Sequence, residues 1–207
     1  MAEAAPTLKL IVGLGNPGAE YARTRHNAGW WLVDALAGQH RAVWRTDRRR
    51  NLQMCPIRAP HAELWLIKPT SFMNRSGGPV AEFAAFYRIS PAEILVVHDE
   101  IDLPPGTARL KFGGGHGGHN GLRDVMAHLG PDFWRLRLGV GHPGDKDLVL
   151  DAVLDRPTAD EQAAIDGALA RALEVMPELL AGEIQRAIHR LHNGNPKAPT
   201  ASSPAAS

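Results

Sequence analysis

Five polar residues of this 207-residue chain have side chains that could carry out a hydrolysis: Asn16, His26, Asn74, Asp99 and Asn120. An aspartate that accepts a hydrogen bond from one imidazole nitrogen leaves the other nitrogen free as a base, and His26 and Asp99 are the natural pair for this task. The amide of an asparagine adds no charge, and it can hold a carbonyl group or orient a water molecule. These residue types predict hydrolysis by an activated water.

Other catalytic groups are not expected from the sequence. No Gly-x-Ser-x-Gly motif presents a serine nucleophile, and the single cysteine, Cys55, lies in an apolar strand that favours an inert thiol. His116 and His119 have no carboxylate or cysteine at the spacing of a zinc site, so we expect no metal. The glycine run around these histidines is not followed by Lys-Ser or Lys-Thr, which excludes a Walker loop.

The predicted strands place the polar residues near one another. The apolar run 8–12 has the length of one buried strand, and Asn16 follows its end. The continuous apolar run 94–97 is typical of a parallel strand covered on both faces, and it leads to Asp99. Asn74 follows another strand-like run. Because ligands of open α/β sheets bind outside the carboxyl ends of the strands, we expect these residues to meet in one crevice.

His26 is predicted to lie in the first turn of a helix. Thr24 is a typical N-cap residue, and Gly38 follows the expected end of the helix. Between them, apolar residues recur at helical spacing: Ala28, Trp31, Leu32, Ala35 and Leu36. Because a helix N-terminus disfavours an imidazolium, we expect His26 to be kept neutral and able to accept a proton.

The glycines of the first loop also fit a different kind of site. The spacing Gly13-x-Gly15-x-x-Gly18 matches the dinucleotide fingerprint, but the polar segment 19–25 delays the helix that should open there. The acidic residue expected about 20 positions on would be Asp34, which falls within the first helix. A nicotinamide site is therefore disfavoured. Glycines that only turn the chain would leave one grouping of polar residues unexplained: Asn16, Tyr21 and His26.

Two further segments stand out by composition. Residues 113–121 contain six glycines, and ordering them costs much backbone entropy, so such a loop is expected where main chain approaches a ligand closely. A basic segment after the first helix contains Arg45, Arg48, Arg49 and Arg50. A run of this kind is usually a solvated face, and a contact with phosphate is the alternative.

Length and composition bound the class of protein. A chain with 44% hydrophobic residues and alternating strand and helix patterns indicates one α/β domain. Its net charge of +1 requires that any nucleic acid be held by local basic patches. A single cysteine excludes an internal disulfide and favours a reducing compartment. Without a signal pattern or an 18-residue apolar window, we expect a cytoplasmic protein and no membrane partner.

The end of the chain differs from the rest. From Asn193 onward Pro, Ala, Ser and Thr dominate, and the segment has no apolar face to bury. We therefore expect a folded catalytic domain over residues 1–192 and a disordered tail over residues 193–207.

The motifs together resemble those of a known family. The resemblance runs from about Leu8 to Leu191 and is to the bacterial-type peptidyl-tRNA hydrolases. It is carried, in the same order along the chain, by Gly13–Gly18 with Tyr21 and Arg25–Asn27, Lys68–Asn74 with Ser76–Gly77, His98–Glu100 with Asp102–Pro104, Gly113–Gly121, and Gly139–Pro143. So many linked motifs make the resemblance highly specific.

The resemblance implies a fold and a reaction. It implies a monomeric, single-domain, three-layer α/β/α enzyme with a twisted, mixed and largely parallel sheet, which needs no metal and no other cofactor. The implied partner is peptidyl-tRNA, bound by its 3′ acceptor end and its peptide. The implied reaction cleaves the ester between the peptide and the 3′ ribose, which returns tRNA to translation.

The resemblance also assigns roles to particular positions. His26 matches the catalytic base, Asp99 the residue that stabilises its proton-accepting form, and Asn16 the position that distinguishes N-blocked peptidyl-tRNA from free aminoacyl-tRNA. The substrate-contacting positions of the family are matched by Tyr21, Phe72, Asn74 and Asn120. A basic cluster that meets tRNA phosphate is matched by Lys111, Arg137 and Lys146.

Two other functions remain open on the residues alone. One is a hydrolase of small N-acylated esters that uses the same histidine. The other is a non-catalytic RNA-binding module, because Gly118-His119-Asn120-Gly121 reads as a Gly-x-x-Gly loop. The strand-bounded setting of that loop and the lack of aromatic stacking signatures weigh against the second function.

Overall fold

A computed structural model of the chain describes residues 7–58 and 63–196. The strands in these ranges are β1 (Leu10–Gly13), β2 (Arg45–Asp47), β3 (Leu52–Arg58), β4 (Glu63–Pro69), β5 (Ile94–Glu100), β6 (Ala108–Phe112) and β7 (Trp134–Gly139). The α-helices are α1 (Ala28–Gln39), α2 (Gly77–Phe86), α3 (Asn120–Leu129), α4 (Val149–Leu154), α5 (Ala159–Glu174), α6 (Met176–Leu180) and α7 (Ile184–Asn193). Single 3₁₀ turns cover Arg25–Asn27, Met73–Arg75 and Pro91–Glu93.

The strands form one mixed sheet in the order β2-β3-β4-β1-β5-β7-β6. The four strands at its centre, β4, β1, β5 and β7, run parallel, and β2, β3 and β6 add antiparallel pairings at the two sides. The parallel strands are almost wholly buried, which explains their continuous apolar runs. The predicted α/β fold with a mixed, largely parallel sheet is confirmed.

Helices cover both faces of the sheet. On one face, α2 and α3 bury side chains such as Phe83 and Val125. On the other face, α1 and the helices α5 to α7 bury side chains such as Leu32, Ile165 and Leu191. Removal of these apolar surfaces from water drives the assembly of the three layers.

The register of the central strands determines what lies at their carboxyl ends. The last residue of β1, Gly13, is paired with Val97 in the middle of β5. The following residues of β5, His98 and Asp99, therefore extend beyond β1 and pair only with β7 on the other side. This offset exposes Asp99 to the segment that follows β1, which contains Asn16.

A close helix–strand contact brings His26 to the same place. A Cβ atom added at Gly29, in the first turn of α1, would lie 2.4 Å from the carbonyl oxygen of Val97 and 2.5 Å from that of Leu14. Only glycine permits α1 to start this close to the ends of β1 and β5. The 3₁₀ turn that contains His26 directly precedes this contact.

Several predicted boundaries differ from the structure. Thr24 does not cap α1, because its hydroxyl donates to the carbonyl of Tyr21 and a 3₁₀ turn separates it from the helix. The predicted strand 94–97 continues to Glu100. The sequence pattern also missed β2 and α4, which are short. Near the end of the described chain, α6 and α7 are separate helices, and Gly182, whose φ is 79°, lies between them.

The predicted tail falls partly outside the described residues, since 197–207 lie beyond them. The first part of that segment belongs to the described structure: Asn193 ends α7, and the Asn195 amide exchanges two hydrogen bonds of 2.8 Å with the backbone of Ala108 on β6. Among the described residues, none of the helices combines the length and the apolar character that crossing a membrane requires.

Candidate active site

The buried carboxylate of Asp99 lies at the centre of the site and contacts two imidazoles. The Nδ1 atom of His26 is 2.9 Å from Oδ1 and 3.0 Å from Oδ2 of Asp99. The Nε2 atom of His119 is 2.9 Å from the same Oδ1. The two rings lie against each other with centroids 4.8 Å apart. The structure thus brings His26 and Asp99 together and adds His119, for which the sequence indicated no role.

The surroundings of His119 determine which of its nitrogens carries the proton. His119 is the N-cap residue of α3, and its Nδ1 lies 3.1 Å and 3.2 Å from the backbone nitrogens of Gly121 and Leu122. Backbone N–H groups only donate, so Nδ1 accepts and the proton of the neutral ring is on Nε2. His119 therefore donates through Nε2–H to Asp99.

The charge of Asp99 controls the protonation of its neighbours. Burial lowers the pKa of His26, but the charge of Asp99 and the hydrogen bond to it outweigh burial, so the pKa is raised above its usual 6.5. Burial raises the pKa of Asp99, yet both histidines together hold that pKa well below its usual range. The net shift of the His26 pKa is therefore upward, opposite to the effect expected of a helix N-terminus, and Asp99 is its cause.

The neighbouring His98 stays neutral. It is fully buried, and burial together with the nearby His119 lowers the pKa of His98 to about 3. Its Nδ1 lies 2.6 Å from the backbone carbonyl oxygen of Asp99. His98 therefore fixes the backbone of Asp99 without adding a charge.

Asn16 is held in one orientation by two hydrogen-bonded neighbours. Its Oδ1 accepts from the backbone N–H of Met73 at 2.8 Å. The side chain of Asn27 accepts from the backbone N–H of Asn16 at 2.9 Å and donates to its carbonyl at 3.0 Å. With Oδ1 engaged, the Nδ2 group of Asn16 has no partner within the described part of the chain, which makes it a donor for a ligand.

Two cavities meet at His26. The first, the Phe72 cavity, has a volume of about 360 Å³ and is lined mainly by Asn16, Tyr21, His26, Phe72, Asn74 and Asn120. The second, the Lys146 cavity, has a volume of about 520 Å³. Besides several apolar residues, its lining includes His26, Asp99, Glu100, Asp102, His119, Asn120, His142 and Lys146. The Nε2 atom of His26 has no hydrogen bond within residues 7–58 and 63–196, and the ring is reached from both sides.

A third cavity, the Lys111 cavity, adjoins the second at Gly117. It has a volume of about 240 Å³, and its polar lining includes His98, Glu100, Lys111, His116, Arg135 and Arg137. Arg135 is buried and donates to the carbonyls of Gly114 and Gly115, which fixes the glycine-rich loop. The guanidinium of Arg135 is therefore used to hold this loop, whereas the exposed Lys111 is accessible to a ligand.

The side chains around Asp99 are also of types that bind metal ions. One candidate ligand atom each from His26, Asp99 and His119 lies within 4.8 Å of the others. However, the nitrogens that face Asp99 already satisfy its oxygens as hydrogen-bond donors, and the remaining nitrogen of His119 is used by α3. These side chains therefore fit a hydrogen-bonded group of two histidines around one aspartate better than a metal centre.

Comparisons with known proteins agree with this geometry. The family model described as peptidyl-tRNA hydrolase matches residues 10–200. The chain belongs to this family. A peptidyl-tRNA hydrolase of Acidithiobacillus ferrooxidans is 54% identical over 185 residues, which cover 89% of the chain and 98% of that protein. One of Neisseria meningitidis is 50% identical over 188 residues, which cover 90% of the chain and 98% of that protein.

A solved structure supports the same assignment. The crystal structure of peptidyl-tRNA hydrolase from Acinetobacter baumannii is similar with a TM-score of 0.90 and 44% sequence identity, over 95% of this chain and 100% of that chain. As a member of the peptidyl-tRNA hydrolase family, the chain is a hydrolytic enzyme of translation, and its substrate is peptidyl-tRNA.

The structure distributes the predicted substrate-contacting positions over the Phe72 cavity. Phe72 is 57% exposed on its rim, and the ring of Tyr21 meets it edge-on with centroids 6.4 Å apart. Asn74 is exposed and Asn120 is half-buried at the first residue of α3. Neither amide has a hydrogen-bond partner among the residues that the structure describes, so both are available to a substrate.

The three predicted basic residues do not form one group. Lys111 and Arg137 line the Lys111 cavity, whereas Lys146 lines the Lys146 cavity. Arg137 is also paired with Glu100, with its Nε 2.9 Å from the carboxylate. The two cavities adjoin, so together the residues present a basic rim on one side of His26.

Sequence reasoning missed three residues that hold the site together: Asn27, His119 and Arg135. Asn27 lay inside a recognised motif but was given no role. His119 was considered as a metal ligand with His116 and as part of a Gly-x-x-Gly loop, but not as a partner of Asp99. The two histidines are in different places, since His116 accepts from Gly118 N–H and lines the Lys111 cavity. Six glycines around a histidine gave no sign that the ring would cap a helix.

Proposed function

We propose that the chain hydrolyses the ester between the peptide and the 3′ ribose of tRNA, with His26 as the base that activates water. The observation that carries this proposal is the hydrogen bond of 2.9 Å between His26 Nδ1 and the buried Asp99. Asp99 keeps the ring proton on Nδ1 and leaves Nε2 to accept a proton from water at the meeting point of two cavities. The carboxylate also stabilises the imidazolium that forms.

The asparagine amides supply the electrostatic part of the reaction. When hydroxide attacks the ester carbonyl, negative charge develops on the carbonyl oxygen, and the amide N–H groups of Asn74 and Asn120 are available to donate to it. The tetrahedral intermediate then expels the 3′ oxygen of the ribose. His26 returns its proton to this oxygen, so the base is regenerated and no bond to the protein is formed.

The two sides of His26 have different chemistry, and this orients the substrate. The basic rim formed by Lys111, Arg137 and Lys146 suits the phosphates of the acceptor end of tRNA. The Phe72 cavity, with aromatic and amide side chains, suits the peptide. Asn16 faces this cavity with a free N–H donor, which fits the carbonyl of an N-blocked residue and offers no counter-charge to a free amino group.

We further propose that the enzyme acts as a monomer in the cytoplasm. All the side chains used in this mechanism come from one chain and lie within the described residues, so the reaction needs no second copy. The single cysteine, Cys55, is buried, and burial raises its pKa to about 11, which suits a thiol that stays reduced.

The test is release of N-acetylaminoacyl groups from tRNA by the wild type and by His26→Ala, with unblocked aminoacyl-tRNA as a second substrate. We expect cleavage of the blocked substrate only, with kcat reduced by orders of magnitude in the variant. His40→Ala is the matched control, because His40 is exposed at the other end of α1 and should leave kcat unchanged.

Three outcomes would contradict the proposal. Absence of cleavage by folded wild-type protein would favour the non-catalytic RNA-binding module. Equal cleavage of N-acetylamino-acid esters without tRNA would favour a small-ester hydrolase. Retained cleavage in His26→Ala would mean that another residue acts as the base.

A further inference from the structure

Residues 47–51, which we call the arginine turn, connect β2 to β3 and have no part in the proposed reaction. Asp47 holds the turn in shape: Oδ1 accepts from the backbone N–H groups of Arg49 and Arg50 at 3.1 and 3.2 Å, and Oδ2 accepts from the Arg50 guanidinium at 2.6 Å. These bonds form a local Asx-type turn. The turn therefore presents its exposed arginines from an ordered backbone.

Most of the positive charge at the arginine turn is not neutralised. Arg50 is balanced by Asp47 and lies 3.7 Å from a carboxylate oxygen of Glu82. Arg48 and Arg49 in the turn, and Arg45 beside it on β2, are exposed and have no carboxylate within 4.0 Å among the described residues. An exposed guanidinium keeps its charge and offers a fork of donors that fits a carboxylate.

The arginine turn lies at the same edge of the sheet as the active site. Because β3 is antiparallel to β4, its first residue Leu52 is paired with Pro69 at the carboxyl end of β4. The backbone N–H of Thr70 donates to the carbonyl of Asn51 in the turn at 2.8 Å. Two residues later the chain reaches Phe72 on the rim of the Phe72 cavity.

The turn is on the opposite side of His26 from the basic rim. Lys111 and Arg137 lie on β6 and β7, whereas the turn lies beyond β4 on the other side of β1. A substrate whose tRNA occupies the basic rim must send its peptide past Phe72, toward β3. We propose that the arginine turn binds acidic side chains of the peptide carried by peptidyl-tRNA. This inference rests on the proposed function.

The distance to the turn sets which part of the peptide is bound. Neighbouring strands are about 4.8 Å apart, and the turn lies between two and three strands from β1, or about 12 Å away. An extended peptide spans about 3.4 Å per residue, so roughly the fourth residue from the ester is the first to reach the turn. We therefore place the preferred acidic residues about four to seven positions from the ester.

The experiment compares two N-acetylated peptides on the same tRNA, which differ only in having Glu or Gln at positions four to seven from the ester. For the wild type we expect a KM about 2- to 10-fold lower with Glu and an unchanged kcat, because exposed ion pairs are weak and lie away from the reacting bond. The difference should shrink as salt increases. Arg48→Gln combined with Arg49→Gln removes two of the three unneutralised arginines and should remove most of the difference.

The controls separate this inference from the proposed function. Arg58→Gln changes an exposed arginine at the far end of β3 and should keep the preference for Glu. N-acetylaminoacyl-tRNA is too short to reach the turn and should be cleaved equally by the wild type and the double variant. Failure of the wild type to cleave this short substrate would overturn the proposed function.

Two results would overturn the inference alone. If the short substrate is cleaved but the Glu and Gln peptides have the same KM, the turn does not bind the peptide. If the double variant raises KM equally for every substrate, including the short one, the turn binds RNA phosphate instead.

Discussion

Replacing Asp99 by asparagine tests the mechanism with almost no change in shape. His119 can only donate to position 99, because its Nδ1 already accepts two backbone N–H groups of α3. The oxygen of the new amide must therefore take the place of Oδ1. This puts the amide NH₂ at the place of Oδ2, which is 3.0 Å from Nδ1 of His26. The amide oxygen is also 2.9 Å from Nδ1 of His26, but it already accepts from His119. Since NH₂ only donates and would repel an Nδ1–H, it favours the tautomer in which His26 accepts at Nδ1 and carries its proton on Nε2, where water should bind.

The expected effect follows from the loss of the base. General-base catalysis contributes about 10²- to 10⁴-fold, and fixing the wrong tautomer of a catalytic histidine costs up to about 10⁴-fold in a serine protease. We therefore expect Asp99→Asn to lower kcat by about 10²- to 10⁴-fold, or about 3 to 5 kcal/mol in the barrier. The assay is single-turnover cleavage of N-acetylaminoacyl-tRNA, with folding checked by circular dichroism. A kcat within tenfold of the wild type would refute the reasoning.

The pH dependence of the reaction tests the same role of Asp99. The reaction needs neutral His26, whose pKa Asp99 raises, so wild-type kcat/KM should fall as pH drops below that raised pKa. In Asp99→Asn only burial still acts, and it lowers the pKa of His26, so the acid limb of the residual activity should move to lower pH.

A second substitution tests the tautomer argument directly. Adding His119→Asn to Asp99→Asn keeps a cap for α3 but frees the amide at position 99 to turn its oxygen to His26. We expect this double variant to be about tenfold more active than Asp99→Asn, and equal activities would contradict the tautomer argument.

Three other changes test separate parts of the structure. Lys111→Gln should raise KM severalfold and make its dependence on salt shallower, and an unchanged KM across a salt series would exclude a phosphate contact. Asn16→Asp replaces the free N–H donor by a buried negative charge, so kcat/KM should fall about tenfold or more for N-acetylaminoacyl-tRNA and rise relative to it for free aminoacyl-tRNA. Gly29→Ala puts a Cβ 2.4 Å from the carbonyl of Val97 and should lower the free energy of unfolding by about 2 to 4 kcal/mol in urea titrations, whereas Gly38→Ala meets nothing within 4 Å and should not destabilise.

The apolar strands were the most predictable part of the fold. The run 94–97 identified β5 because a strand covered on both faces must be apolar. Its continuation through His98 and Asp99 depends on pairing with β7, about 40 residues away. The residues around His98 and Asp99 in the sequence do not indicate that pairing. For the same reason the edge strand β2, which is polar and three residues long, gave no signal.

The chemistry of the site was only partly visible in the sequence. His26 and Asp99 were paired because their residue types suit each other, although 73 positions separate them. His119 was not, because histidine is an unusual N-cap, and its place beside Asp99 depends on where α3 begins. The glycine-rich loop that carries it is fixed from outside by Arg135, which a sequence pattern assigns only to a strand face.

Two imidazoles contact Asp99, but only one of them is free to act as the base. His119 uses Nδ1 as the acceptor for α3 and Nε2–H as the donor to Asp99, so neither nitrogen can take a proton from water without breaking a bond that the fold requires. His26 uses only Nδ1, and its Nε2 faces the two cavities. The second imidazole instead orients the carboxylate and helps to keep it ionised, since a buried charge with too few donors would take up a proton. This asymmetry assigns proton transfer to His26 and the positioning of Asp99 to His119.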